Sequence, residues 1–202
     1  MSKRLSIVAL LITIAFGYGQ SDVKPLKVLK GELIFSDDFE RAQIGDTWEI
    51  KDKFNDAFQI KNGALFGKEL VDAGHGSVAR AHFSFSDVVI EFDFRFKGAK
   101  RFNLVMDDSL CKSVRAGHIS RVSFSNNDFR VQDDKTGSMN LKVRDKRLKS
   151  PDKKEEIKEF LKTKMNVKKL RFEEGQWYHV VITKLGDILE CKVGSTIAQI
   201  KS

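Results

Sequence analysis

Two groups of side chains in this sequence have the types and spacing that chemistry needs. The first is Glu91, Asp93 and Arg95, which alternate with Ile90, Phe92, Phe94 and Phe96. Residues two apart share one face of a strand, so a strand here buries a wall of aromatics and presents a row of charges. Such a row can hydrogen-bond sugar hydroxyls, or it can be a solvated, salt-bridged sheet face, and the pattern admits both. The second group is His118, Arg121, Asp133, Asp134 and Lys135. A histidine beside carboxylates suits acid/base work or cation binding, which makes His118, Asp133 and Asp134 the catalytic candidates. Asp133-Asp134-Lys135-Thr136-Gly137 is also ordinary turn chemistry. If two sheets stack as the pattern implies, the first row neighbours Arg121 and Ser123.

The elements that must position these residues are short strands. Strand patterns recur at 32–35, 48–50, 58–60, 64–66, 77–83, 88–96, 101–106, 118–124, 129–132, 168–172, 177–184 and 188–193. Turn residues such as Lys61-Asn62-Gly63, Ser125-Asn126-Asn127-Asp128 and Leu185-Gly186-Asp187 separate them, which is the signature of an all-β sandwich. Sixteen Phe and only two Pro suit a core of interdigitating aromatics. One amphipathic helix interrupts the strands at about 150–165: Ser150 fits its N-cap, Pro151 its first position, and Ile157, Phe160, Leu161 and Met165 its apolar stripe.

Residues 1–19 read as a secretory signal peptide, with Lys3 and Arg4, an apolar run from Leu5 to Phe16 and small residues before Gln20. The run is shorter than the roughly 20 residues a membrane-spanning helix needs. The expected location is therefore secreted or periplasmic, with a leader at 20–31 and a single domain at 32–202.

The net charge of +8 is concentrated, since residues 142–171 hold 13 Lys/Arg against 5 Asp/Glu. This stretch has few aromatics and no recognition motif, which argues against nucleic acid and for a solvated helix face or an acidic partner. Cys111 and Cys191 are the only cysteines. An oxidising compartment permits a disulfide between them, and no Cys/His cluster points to zinc. No Gly-x-Ser-x-Gly, phosphate-loop or dinucleotide fingerprint is present.

Three places together resemble a known group. Phe35-Ser36-Asp37-Asp38-Phe39 with Gly45-Asp46-Thr47-Trp48 and Lys61-Asn62-Gly63, then Glu91-Phe92-Asp93-Phe94-Arg95, then Gly175-Gln176-Trp177-Tyr178-His179 with the hairpin after Gly186, are similar in order to concanavalin A-like sandwich domains. That jelly-roll group includes laminin G-like modules, legume lectins and family-16 glycoside hydrolases. More narrowly, Gly117-His118-Ile119-Ser120-Arg121 and Asp133-Asp134-Lys135-Thr136-Gly137 resemble segments of secreted glycoside-hydrolase-like sandwich proteins. The resemblance implies a jelly roll that recognises a polysaccharide or glycan, and a structural Ca²⁺ held by Asp37 and Asp38, with Asp107-Asp108 as a rival.

Two departures bear on activity. Glu91 and Asp93 match the nucleophile and orienting acid of family 16, but Arg95 and Phe96 stand where the general acid belongs, so the two-carboxylate mechanism is incomplete. The chain also stops at Ser202, short of the closing strands of that fold. An unpaired edge beside the first strand is the expected result. The sequence thus predicts a carbohydrate-recognising module without a complete catalytic motif; the alternative is a glycan-active hydrolase or lyase.

Overall fold

The computed structural model describes residues 24–71 and 74–201, so the expected signal peptide at 1–19 lies outside the described residues. The strands are β1 (Glu49–Ile50), β2 (Phe58–Ile60), β3 (Leu65–Gly67), β4 (Ala79–Arg80), β5 (Val88–Phe94), β6 (Arg101–Asp107), β7 (His118–Ser125), β8 (Asp128–Asp133), β9 (Met165–Lys169), β10 (Tyr178–Leu185), β11 (Ile188–Val193) and β12 (Thr196–Lys201). All pairings are antiparallel. Two four-stranded sheets, ordered β12-β11-β10-β5 and β6-β7-β8-β9, are accompanied by the small ribbons β1-β4 and β2-β3.

Both large sheets turn one face into a single core. Phe94, Val180, Ile182, Leu189, Cys191 and Ala198 enter it from the first sheet, and Met106, Val122, Phe124, Phe129 and Val131 from the second. Phe124 is fully buried, with the rings of Phe92, Phe94, Phe102, Phe129 and Phe172 at centroid distances of 4.8 to 6.3 Å. Truncating such a side chain costs about 3–5 kcal/mol. On one flank Asn166 donates to the Gln199 carbonyl at 2.9 Å and ties edge strand β9 to edge strand β12.

Several expected elements are corrected. Residues 32–35 form no strand; they lack a neighbour to hydrogen-bond, and Leu33 and Ile34 are exposed. The pattern at 168–172 pairs instead as Met165–Lys169 against β8, and beyond Lys169 the chain runs beside the turn that precedes β8, where the Leu170 and Phe172 amides donate to the Asn127 and Asn126 carbonyls. The chain does not leave the sheet at Val193. A two-residue turn at Gly194 (φ 58°) and Ser195 returns it as β12 against β11.

The single helix is in fact two. Helix α1 (Leu141–Lys149) is capped by Asn140, whose Oδ1 accepts from the Lys142 and Val143 amides, and it buries no residue. A 3₁₀ turn at Pro151–Lys153 leads to α2 (Lys154–Lys162), which buries Ile157. Ser150 makes no side-chain cap; it closes α1, as a residue before proline is placed to do. Met165 belongs to β9 rather than to the helical stripe.

Candidate functional site

The charged row on β5 forms as expected. Its aromatic partners face the core, while Glu91 and Asp93 are 36 % and 63 % exposed on the outer face. Every charge in it is engaged. Lys30 pairs with Glu91 at 2.6 Å, His179 Nδ1 lies 2.8 Å from Asp93 Oδ1, and the Arg95 guanidinium sits 4.7 Å from the centre of the Trp177 ring. The row does not neighbour Arg121 and Ser123. Those belong to β7 in the other sheet, and since both sheets direct their apolar faces inward, the two polar faces look away from each other.

Part of that outer face is covered by the leader. The Leu26 amide donates to Glu190 at 3.0 Å, and Gln199 donates to the same carboxylate at 3.0 Å, so a glutamate only 4 % exposed is satisfied by two donors.

The second group separates into two arrangements. Asp134 is fully buried, accepting from Arg121 Nε at 2.5 Å and from Ser138 Oγ at 2.7 Å. Asp133 accepts from the Thr136 amide at 3.0 Å and from the Thr136 hydroxyl, with Lys164 Nζ at 3.6 Å. Together they fold the turn after β8 back on β7, where the Asp134 and Lys135 amides both donate to the Ile119 carbonyl. Gly137 completes the turn because a Cβ there would lie 2.3 Å from the Asp133 carbonyl oxygen. His118 is elsewhere in this scheme: its Nδ1 bonds Asp107 Oδ1, its cross-strand partner on β6, and Arg80 Nε approaches the other oxygen at 3.9 Å.

Asp37 does not present free oxygens to a cation. Arg41 grips both of them at 2.5 and 2.8 Å, and Trp48 Nε1 and the Phe39 amide donate at 2.7 and 2.9 Å. The Arg41 guanidinium holds the Asp37 carboxyl well below the usual carboxylate range, against the opposing effect of burial. Asp38 accepts from the Glu40 amide. Asp37, with both oxygens taken by cationic and N–H donors, does not fit Ca²⁺ as a ligand, which leaves Asp38 without the carboxylate partner expected beside it. Among the described residues no group of three or more His, Cys, Asp or Glu is placed to hold a metal. Cys111 and Cys191 are both free thiols.

The Asp37 node instead holds a groove that sequence reasoning missed. Trp48 is braced by Asp37 and by Phe35 and Phe39, with centroids at 5.7 and 6.1 Å. It forms part of an open groove of about 670 Å³ lined also by Gln43, Asp46, Asn55, Phe58 and Gln59. Among the described residues none of the three amides has a hydrogen-bond partner for its side chain, whereas Glu49 at the rim is bonded to His82 at 2.5 Å. Two aromatics beside uncommitted amides combine stacking area with paired donors and acceptors on one surface. The only sequence signal was Trp48 amid Gln, Asn and Asp, spread over strands too short to show a period.

No helix among the described residues is long and apolar enough to cross a membrane. No family model, curated protein or solved structure matches this chain.

Proposed function

We propose that this chain is a carbohydrate-recognising β-sandwich module of the concanavalin A-like jelly-roll type, acting outside the cytoplasm without a catalytic step. The observation that carries the reading is the Trp48 groove, where the aromatic rings and uncommitted amides share one concave surface. Aromatic faces supply stacking area and amides supply paired donors and acceptors, the combination that a polyhydroxylated ring requires. The antiparallel sheets with a common core support the fold part of the reading.

A second reading, a glycan-active hydrolase or lyase, draws on the His118–Asp107 bond, because a histidine oriented by a carboxylate is what a general base needs. A glycan-array screen with a parallel assay for released reducing ends separates the two. Binding without release, weakened about tenfold by Gln59→Ala or Trp48→Ala, is the expected result. Release of reducing ends that disappears in His118→Ala would replace the module by the enzyme.

A further inference from the structure

The ten arginines among the described residues are not treated alike. Arg41, Arg80, Arg121, Arg130 and Arg171 each meet a carboxylate, and Arg95 meets Trp177. Of the four that remain, Arg115, Arg144 and Arg147 stand together. Arg144 and Arg147 are three residues apart on α1 and so share a face. Arg115 is drawn alongside by its own amide, which donates to the Met139 carbonyl at 2.9 Å, and by the Val114–Asn140 bridge.

Among the described residues no carboxylate pairs with this group. Arg144 is half-buried, and among the described residues the single partner of its guanidinium is Met139 Sδ at 4.0 Å. The acids nearby are committed, Asp145 to Lys149 at 2.9 Å and Glu156 to Lys146 at 2.9 Å. Burial, together with the charges of Arg115 and Arg147, pushes the Arg144 guanidinium below the usual arginine range. No residue of α1 is fully buried, so the helix has only partial packing to set against the repulsion.

We infer that Arg115, Arg144 and Arg147 form a second binding site, for the sulfate or carboxylate groups of an acidic polysaccharide. Guanidinium forks match such oxyanions in paired hydrogen bonds. No aromatic residue occurs in 111–117 or 138–149 to stack a nucleobase, and α1 has no continuous apolar stripe to lie in a bilayer. The polysaccharide assignment rests on the carbohydrate reading above; the oxyanion site itself does not.

The test is calorimetric titration of the full chain with dextran sulfate, a carboxymethyl dextran and uncharged dextran. The charged polymers are expected to bind, and Arg144→Gln with Arg147→Gln, or Arg115→Gln alone, to weaken them about tenfold. Lys153→Gln with Lys154→Gln removes equal charge from exposed neighbouring positions and is expected to change binding less than about twofold. Uncharged dextran carries no oxyanion and reports the groove alone, so absence of its binding would fail the groove reading while arginine-dependent binding of the charged polymers still supports the oxyanion site. Equal losses from both double variants, or none from the arginine variants, would overturn the site. An α1-dependent preference for phosphatidylglycerol vesicles or duplex DNA over dextran sulfate would overturn its assignment to a polysaccharide.

Discussion

Arg95 lies over Trp177, its guanidinium carbon 4.7 Å from the ring centre, and the contact joins the end of β5 to the start of β10 at an open sheet edge. A cation over an exposed indole contributes about 0.5–1 kcal/mol. Arg95→Ala is therefore expected to lower the unfolding free energy by about that amount and to shift the Trp177 emission. Unchanged emission in urea titrations of the variant would show that the contact does not persist in solution.

Asp134 separates the structural role of its turn from a catalytic one. It is fully buried against Arg121 and Ser138, and removing one partner of a buried pair costs about 3–5 kcal/mol. Asp134→Ala is expected to destabilise on that scale. A variant of unchanged stability that has lost glycan turnover would instead make Asp134 part of an active site.

Acid should weaken the Asp37 node that braces the groove. The Asp37 carboxyl is held low by Arg41, so its stabilising contribution is present above the unfolded-state value near 3.9 and is lost as pH falls through the lower folded value. Asp37→Asn is expected to lower stability at neutral pH and to flatten the acid limb. Urea midpoints at about pH 7 and about pH 3 decide it, and parallel losses in both proteins would sink the argument.

The two thiols should react unequally. Cys191 is buried in the core, where desolvation and then Glu190 push its thiol up, while Cys111 lies in a loop with Ser113 Oγ at 3.3 Å. A disulfide reagent is expected to modify Cys111 in the folded protein and Cys191 only with unfolding. If neither reacts until reductant is added, the two cysteines are paired.

What was legible in the sequence tracks how strongly each element is patterned. β5 and the β10-β11 hairpin were readable because alternation and a Gly186 turn act over consecutive residues. α1 was not, since it is basic on most sides and buries nothing; its one cue, Asn140, is a residue as common in turns as in caps. Residues 32–35 carry a strand-like run, yet a strand needs a neighbour as well as a propensity.

The candidate sites were legible as residue types and not as partnerships. Glu91 and Lys30 are 61 positions apart, and Asp93 and His179 are 86 apart, so nothing local announces that the charged row is engaged. The sequence places His118 with Asp133 and Asp134, but antiparallel register gives it Asp107. The groove was invisible for the same reason. Its walls come from a loop knit around Asp37 and from two short ribbons whose pairing is tertiary.

The core combines phenylalanine with aliphatic side chains, and both tryptophans stand outside it: Trp48 in the groove and Trp177 just before β10, 48 % exposed. Intrinsic fluorescence of this protein is therefore a two-channel reporter of its surface. Trp48→Phe leaves an optical probe of the β5 edge, and Trp177→Phe leaves one of the groove, so ligand titrations can be assigned to a location without attaching a dye.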